Sequence, residues 1–397
     1  MANNISPART SPSKRIKLTH HNHHQPLLPG LPDHLAQLCL SPLHPSLLYS
    51  VCRSWRRLIY SPSFPPFLSL YAIFSSENHQ TGDGQPNFVQ FQSFDPISSN
   101  WDVLPTPKSE PPLRLLLRHP SFMSRSLPVQ SVSVAGNLVL LAATSDNFFP
   151  ALSRPLVFDP LSRKWVSGPP LSVPRRWCAA GTLRGAVYVA SGIGYQFSHD
   201  VARSVERWDF QQKTKKTQNC QEENSGWEWE KVTALKDGKF SRDAIDAVGW
   251  RGKLCLVNVK GKAAKDGIVY NLEKDAWEEM PEGMINGWIG PVAAMDEEEM
   301  FVVDEAKGAL RKYDSGRDFW GEIISSDRLK GAEQIAAGGG RVCVICGAGG
   351  EKEIVVVDVV AAPARTARLW VVDMPAGVET EAIHILPRMS CLELSST

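Results

Sequence analysis

Cys343 and Cys346 are the side chains in this 397-residue chain whose spacing most suggests chemistry, since Cys-x-x-Cys is the spacing of thiol-disulfide enzymes. They lie in an apolar run without a second such pair. On a strand, a three-residue separation places the two thiols on opposite faces. We therefore interpret the run as a core strand and not as a redox site.

A histidine-rich tract near the start of the chain has side chains that could chelate a metal ion. The tract adjoins a segment rich in Ser, Pro and Asn, so residues 1–26 are predicted to be a disordered tail. A flexible tail lacks the second shell that fixes a biological metal site. No metal and no other cofactor is therefore expected. The four histidines are His20, His21, His23 and His24.

The same tail contains a basic cluster of Lys14, Arg15 and Lys17. Its pattern is typical of a short nuclear-import signal, with a solvated basic tail as the alternative. On the basis of this motif, the protein is expected in the nucleus and the cytoplasm.

Composition excludes several function classes. Lys plus Arg (43) nearly balance Asp plus Glu (42), so no broad basic field is available for nucleic acid. The longest apolar stretch, 354–360, is far shorter than the roughly 20 residues of a membrane helix. Neither nucleic acid nor a membrane is expected as a partner. Eight cysteines without a secretory signal indicate free thiols, and the Gly-x-Ser-x-Gly, P-loop and His-Glu-x-x-His motifs are absent.

Residues 28–67 carry the spacing of amphipathic helices. A first helix is predicted around 31–38, where leucines recur at four- and three-residue steps and a Pro-Asp pair suits the first turn. A second, longer helix is predicted over 47–59, until Pro62 stops it. A unit of this size buries little surface by itself, so its apolar stripe is expected to pack on a partner protein.

From residue 69 onward the sequence repeats, with one tryptophan in each unit. The tryptophans are spaced by 64, 64, 48, 43 and 50 residues, against roughly 50 for one class of propeller repeat. The two long intervals contain insertions at 105–128 and 211–226. We interpret the repeated tryptophans as core packing. They are Trp101, Trp165, Trp229, Trp277, Trp320 and Trp370.

Short strands precede each of these tryptophans. The nearest strand has aromatic or β-branched residues and ends in Asp or Asn, and another apolar strand lies before it. Six four-stranded blades can be counted, but the first lacks its innermost strand while 383–390 is left over. We expect this C-terminal strand to close the ring, which protects both sheet edges. The sequence thus predicts an all-β six-bladed propeller over residues 69–397.

The helical segment resembles an F-box. The match rests on Leu31-Pro-Asp-His-Leu35 and on Val51-Cys-Arg-Ser-Trp-Arg-Arg-Leu-Ile59, followed by Ser61-Pro-Ser-Phe64. The remainder is similar to degenerate kelch repeats, and together the two parts resemble the plant F-box/kelch-repeat proteins of the Skp-interacting group. The paired glycines of that family survive only in part, as Ser191-Gly192 and Cys346-Gly347.

The resemblance implies that the F-box docks on an Skp adaptor, which joins it to a cullin-based ubiquitin-ligase core. Eight residues are then expected to contribute to this docking or to the small core beneath it, and Trp55 is the first candidate for a binding hot spot. They are Leu31, Pro32, Leu35, Leu38, Val51, Cys52, Trp55 and Leu58.

The resemblance also implies that the propeller recognises a protein substrate. Loops between blades, and loops between the second and third strands of a blade, converge on one face of a propeller. Aromatic and arginine residues on these loops are candidates for substrate contact, because protein interfaces favour both types. Core packing or a solvated charge is the alternative for each. The candidates are Phe148, Phe149, Arg175, Arg176, Trp177, Tyr195, Phe197, Arg242 and Trp288.

Two function classes follow from this organisation. The first is a substrate receptor of a ubiquitin ligase, in which no residue of this chain performs covalent chemistry. The second is an interaction scaffold without a ligase role, and the intact 51–59 block favours the first. Copper radical oxidases also use kelch propellers, but their Tyr and His ligand set is hard to find among the scattered propeller histidines, His79, His119, His199 and His384.

Overall fold

The structure is a computed structural model that describes residues 26–61, 63–65, 67–76, 89–108, 113, 129–142, 152–211, 227–236, 244–259, 266–347, 352–360 and 367–389. The histidine tract, the basic cluster and most of both predicted insertions lie outside these residues. The chain divides into two compact units, Met1–Phe64 and Pro65–Thr397.

The first unit contains three short helices, α1 (Asp33–Leu40), α2 (Pro45–Val51) and α3 (Arg53–Tyr60). Helix α1 confirms the first predicted helix, and α2 begins on a proline, which suits the first turn because its missing N–H would be unpaired there. Few residues are available for a core in so small a unit. Among the described residues of this unit, the buried apolar side chains are Ala36, Leu40, Leu48, Leu58, Ile59 and Phe64.

The prediction of one helix over 47–59 is wrong, because the chain is extended at Cys52, with φ −156° and ψ 168°. A straight helix would hold Leu48 and Ile59 about 16 Å apart along its axis. The break instead lets α3 pack against α2, and both side chains are fully buried. The Arg56 guanidinium stabilises the end of α2, since its Nε donates to the Tyr49 carbonyl at 2.5 Å and its Cζ lies 4.6 Å from the Tyr49 ring centroid.

In the second unit, the strands of the described residues form six four-stranded antiparallel sheets, the blades of a β-propeller. Blade 1 has β1 (Leu68–Ser76), β2 (Val89–Asp95) and β3 (Asn100–Val103). Blade 2 has β4 (Gln130–Val134), β5 (Asn137–Ala142), β6 (Leu156–Asp159) and β7 (Lys164–Ser167). Blade 3 has β8 (Ala179–Leu183), β9 (Ala186–Ala190), β10 (Val205–Asp209) and β11 (Glu230–Lys231).

The remaining blades repeat this order. Blade 4 has β12 (Ala244–Trp250), β13 (Lys253–Val259), β14 (Asp266–Asn271) and β15 (Ala276–Glu279). Blade 5 has β16 (Val292–Met295), β17 (Glu299–Asp304), β18 (Ala309–Asp314) and β19 (Phe319–Ser325). Blade 6 has β20 (Ala332–Gly338), β21 (Arg341–Cys346), β22 (Glu353–Asp358) and β23 (Arg368–Val372). Short helices α4 (His199–Arg203), α5 (Glu282–Asn286) and a 3-10 turn (Asp327–Leu329) lie in connections.

Strand β24 (Val378–Pro387) completes blade 1 as its innermost strand and pairs antiparallel with β1. This arrangement confirms the predicted ring closure. The Tyr71 hydroxyl donates to the Pro387 carbonyl at 2.7 Å, and the Lys352 ammonium of blade 6 lies 2.9 Å from Glu379 Oε1 on β24. The first and last strands of the propeller are therefore joined by a sheet, and an ion pair joins the closing strand to blade 6.

Each blade turns from its third to its fourth strand on an Asp or Asn, as the repeat predicts. In every case the side-chain Oδ1 accepts the backbone N–H two residues further on, at 2.9 to 3.2 Å. Such Asx turns give the backbone a local hydrogen bond that fixes the reversal. The six residues are Asp95, Asp159, Asp209, Asn271, Asp314 and Asp358.

The repeated tryptophans connect neighbouring blades. Five donate their indole N–H to a backbone carbonyl in the connection that leaves the preceding blade: Trp101 to Asp373, Trp165 to Pro105, Trp229 to Pro169, Trp277 to Thr233 and Trp320 to Met284, at 2.6 to 3.1 Å. Trp320 is buried, whereas the other four are half-buried. Trp370 is 39% exposed and lies under the Arg341 guanidinium. Five of the six tryptophans pack on apolar clusters, as predicted, and add a polar link between blades. The core-packing prediction is wrong for Trp370, which is exposed.

Cys343 and Cys346 lie on β21, as the core-strand interpretation predicts. Both are buried, and they belong to different apolar clusters on the two sides of their sheet. Burial raises the pKa of each thiol to about 12, so both stay protonated and unreactive at neutral pH.

Candidate functional site

The helical unit carries an unusual number of exposed apolar side chains. Leu38 is 69% exposed, Leu47 61% and Val51 57%, although the same helices bury Leu40 and Leu48 completely or nearly so. Exposed large apolar groups at this density are typical of a protein interaction surface. We call this set the leucine surface; its members are Leu31, Leu35, Leu38, Leu43, Leu47 and Val51.

The residues predicted to bind Skp divide by burial. Five of the eight are exposed: Leu31, Pro32, Leu35, Leu38 and Val51. Cys52 and Trp55 are half-buried, and Leu58 is buried in the core of the unit. Sequence reasoning did not select Leu43 and Leu47, although Leu47 lies four residues before Val51 in the same helical period.

Trp55 holds the segment that precedes α1. Its indole N–H donates to the Leu27 carbonyl at 2.7 Å, across 28 residues of sequence, and the Leu27 N–H donates to Asp33 Oδ1 at 3.1 Å. The Trp55 indole N–H is therefore used within the unit, and only the rest of the ring is open to a partner.

On the propeller, two neighbouring connections of blade 3 bring five predicted substrate contacts together. The connection 168–178 carries Arg175, Arg176 and Trp177, and the connection 191–204 carries Tyr195 and Phe197. A pair of backbone hydrogen bonds between Arg176 and Ile193, at 3.0 and 2.9 Å, joins the two connections. We call the propeller face on which the inter-blade connections lie the long-loop face.

Within this group, exposure separates surface residues from supporting ones. Tyr195 is 72% exposed and Phe197 45%, so both are available to a partner. Arg176 is half-buried with its guanidinium 4.1 Å from the Trp177 ring centroid, and Trp177 itself is 7% exposed. Gly192 passes so close to this pair of residues that an added Cβ would lie 2.9 Å from the Arg176 carbonyl oxygen, and only glycine is accommodated there at φ +92°.

Arg175 is the buried support of blade 3. Its guanidinium forms an ion pair with Glu206 in which the two side chains are 0% and 2% exposed, and it also donates to the Ser204 hydroxyl at 2.5 Å and to the Ser191 carbonyl at 3.3 Å. Glu206 accepts in turn from the Ser172 hydroxyl at 2.7 Å. The pair therefore fixes both connections from beneath and offers no surface to a substrate.

The other predicted substrate residues are not part of this group. Trp288 is fully buried in an apolar cluster of blades 4 and 5, with its indole N–H donating to Asp246 at 3.1 Å, so it has no surface for a partner. Phe148, Phe149 and Arg242 lie outside the described residues.

A cavity of about 270 Å³ lies on the propeller axis, lined by the innermost strands of all six blades. Polar contacts between these strands surround it. Ser131 Oγ lies 2.8 Å from His384 Nε2, the Ile383 N–H donates to Gln334 at 2.8 Å, and the Cys178 N–H donates to Gln130 at 3.2 Å. Sequence reasoning missed this cavity, and polar residues within otherwise apolar innermost strands were its signal.

His384 makes the stability of the propeller sensitive to acid. Its burial lowers the pKa of the imidazole from 6.5 to about 4, so between these pH values the unfolded chain binds more protons than the folded one. We expect the free energy of unfolding to fall by about 3 kcal/mol as the pH drops through this window, and to be unaffected by this group above it. Urea unfolding across the window measures the effect.

A substitution separates the contribution of His384 to the acid sensitivity from that of the other titratable groups of the chain. His384→Gln keeps a polar group opposite Ser131 but removes the titratable imidazole. The free energy of unfolding of this variant should therefore fall less steeply with decreasing pH than that of the wild type. His199→Gln, at an exposed position, is the matched control and should leave the slope unchanged. Equal slopes in the wild type and in His384→Gln would contradict the role of His384.

Within the described part of the chain, no helix is long and apolar enough to cross a membrane. Among the same residues, no three His, Cys, Asp or Glu side chains are close enough together to hold a metal ion.

A small helical unit with an exposed leucine surface, followed by a six-bladed propeller, defines the class of F-box proteins that carry a propeller. The comparison with curated proteins agrees: the chain is 50% identical over 389 residues to the F-box/kelch-repeat protein SKIP25 of Arabidopsis thaliana, covering 96% of this chain and 95% of that protein. It is also 26% identical over 300 residues to the F-box protein AFR of Arabidopsis thaliana, covering 71% and 69%. No family model matches the chain. The chain belongs to the F-box/kelch-repeat family.

Proposed function

We propose that this protein is the substrate-recognition adaptor of a Skp-cullin-F-box ubiquitin ligase. The family and the propeller support a general role in substrate recognition without catalysis. The observation that carries the ligase role is the leucine surface, because six exposed apolar side chains on one small helical unit would be costly unless a partner covers them. That partner is the Skp adaptor, which brings the cullin-based core to the chain.

In this proposal the propeller holds the target protein on its long-loop face. Tyr195 and Phe197 supply exposed aromatic area on blade 3, and aromatic side chains are enriched in protein interfaces. The Arg175–Glu206 pair is a positioning element beneath them. Ubiquitin would be transferred by a separate conjugating enzyme, and residence in the nucleus as well as the cytoplasm remains part of the proposal.

The decisive experiment is retention of purified Skp adaptor by the full chain and by a Leu38→Asp, Leu47→Asp variant. A carboxylate buried in an apolar interface costs several kcal/mol, so retention should fall by roughly a hundredfold or more. Both positions are mostly exposed, so the thermal unfolding of the variant should match that of the wild type.

Arg57→Asp is the matched control, since it introduces the same side chain at an exposed position of α3 outside the leucine surface. It should retain the adaptor. If the wild type does not bind Skp adaptor, the ligase role is wrong and the protein is a propeller scaffold. If the leucine variant and the control bind as well as the wild type, docking does not use the leucine surface.

A further inference from the structure

Arg176 is a cation whose charge is not balanced within the part of the propeller that the structure describes. Its side chain is half-buried, and among the described residues its Nε has no hydrogen-bond partner and its guanidinium forms no ion pair. Burial lowers the pKa of this guanidinium below its usual range, with no opposing effect of a nearby carboxylate. The preceding residue, Arg175, is by contrast paired with Glu206. The cost of desolvating Arg176 is therefore not offset as it is for Arg175.

The sequence of the two connections leaves the same positive charge unbalanced. Residues 168–178 contain no acidic residue, and residues 191–204 contain one, Asp200. Asp200 is exposed, and the described contacts include no ion pair between it and Arg176. A surface with an excess of positive charge attracts an anionic partner.

The Arg176 guanidinium is held in place before any partner binds. The two backbone hydrogen bonds with Ile193 fix the residue, and the Trp177 ring lies against the guanidinium, 4.1 Å from centroid to Cζ. Trp177 has φ +54°, a left-handed backbone conformation that is rare for a bulky residue. Such strain persists only where the surrounding structure enforces it, and it is concentrated at sites that bind ligands. The guanidinium is therefore preorganised for binding.

Exposed apolar side chains lie in the same two connections as Arg176. Tyr195 is 72% exposed and Phe197 45%. Val173 is 37% exposed and adjoins the connection of these aromatic residues, since a Cβ added to Gly194 would lie 3.0 Å from Val173 Cγ1. A partner that covers this surface needs apolar side chains as well as an anion.

The arrangement suits a carboxylate better than a phosphate group. Phosphorylated side chains are generally recognised by clusters of arginines, whereas Arg175, next to Arg176, is buried and already paired with Glu206. One arginine is sufficient for a carboxylate, because the planar guanidinium can donate two parallel hydrogen bonds to its two oxygens.

We propose that Arg176 binds the carboxylate of an aspartate or glutamate of the target protein, and that Val173, Tyr195 and Phe197 contact apolar side chains beside it. This inference rests on the proposed function, since it names the chemistry of the target segment that the long-loop face recognises. That segment has an acidic residue with apolar neighbours.

The probe for this site is a phage-displayed library of random linear nonapeptides, selected on the immobilised full chain. The selected peptides should share an Asp or Glu at one position, with apolar residues beside it. Fluorescence anisotropy then measures the affinity of the most enriched peptide, made synthetically with a label. Its counterpart with Asn or Gln at the acidic position should bind at least about tenfold more weakly, because Arg176 then stays without an anion. A selection without a shared acidic position, or equal affinities of the two peptides, would overturn the proposal.

Arg176→Met assigns the carboxylate to this side chain. It keeps an unbranched stem on the Trp177 ring but removes the charge. The acidic peptide should bind this variant about tenfold more weakly than the wild type, and no more tightly than its neutral counterpart does. Arg317→Met is the matched control: this side chain is 84% exposed between β18 and β19, and the variant should bind as the wild type does.

Thermal unfolding checks that both variants are folded. If Arg176→Met does not fold, Arg176→Lys takes its place, because lysine keeps the charge but cannot donate two parallel hydrogen bonds. Arg176→Lys should bind the acidic peptide more weakly than the wild type. A folded Arg176→Met variant that still prefers the acidic peptide to its neutral counterpart would refute the role of Arg176.

Failure of this inference is distinguishable from failure of the proposed function. If the selected peptides have no shared acidic position but bind Tyr195→Ala more weakly, the carboxylate is rejected and the long-loop face still recognises protein segments. The Skp-retention experiment uses the other unit of the chain, so its outcome does not depend on Arg176.

Discussion

A chain that ends at Gly377 is expected to lose its cooperative unfolding transition and to behave as an unfolded or aggregating protein. The truncation removes β24, and with it the innermost strand of blade 1 and all of its pairing with β1. Buried side chains of β1, among them Tyr71, Ile73 and Phe74, would be exposed. Total stabilities of domains are only about 5–15 kcal/mol, and the loss of a whole central strand exceeds that margin.

Thermal unfolding followed by circular dichroism and near-ultraviolet spectra measures this effect. A chain that ends at Met389 is the matched control, since it keeps β24 whole and should unfold at the temperature of the wild type. A shorter chain that still unfolds cooperatively near that temperature would show that blade 1 is stable without its innermost strand.

The second large effect is expected from Arg175→Met. The substitution leaves the Glu206 carboxylate buried without its cation, although the Ser172 hydroxyl still donates to it. Removing one partner of a buried ion pair costs about 3–5 kcal/mol, because the remaining charge stays desolvated. Chemical denaturation of the full chain, monitored on the propeller transition, gives the loss in the free energy of unfolding.

A double variant separates the cost of the unpaired charge from the cost of lost packing. Arg175→Met with Glu206→Gln removes both charges, and it should recover a large part of the stability lost in Arg175→Met alone. If the double variant is as unstable as the sum of the two single variants, the pair has no coupling and the support of blade 3 comes from packing.

The propeller was predictable from the sequence because its information is local and repeated. Strands such as Leu156–Asp159 and Ala186–Ala190 carry β-type residues over four or five positions, and each blade marks its turn with Asp or Asn. The closing strand could be predicted as well, because the first blade lacked its innermost strand and the C-terminal strand was left over after the sixth blade. Counting the strands of each blade was therefore enough to predict that the C-terminal strand pairs with the first blade.

The interior of the site could not be predicted in the same way. The residue type of an arginine or an aromatic side chain does not reveal whether it faces a partner or the core. Only tertiary contacts distinguish the buried Arg175 and Trp288 from the exposed Tyr195. The break at Cys52 was missed for a related reason. Helical spacing continues across it, and the packing of α3 on α2 decides the backbone conformation.

The position of β24 also has a consequence during protein synthesis. The Tyr71–Pro387 contact joins residues 316 positions apart, and ribosomes add roughly 5–20 residues per second, so blade 1 waits roughly 15–60 s for its last strand. During that interval β1 presents an unpaired, largely apolar edge, the kind of template on which nascent chains aggregate. Production of this protein in cells should therefore depend on chaperones that shield the chain until its translation has finished.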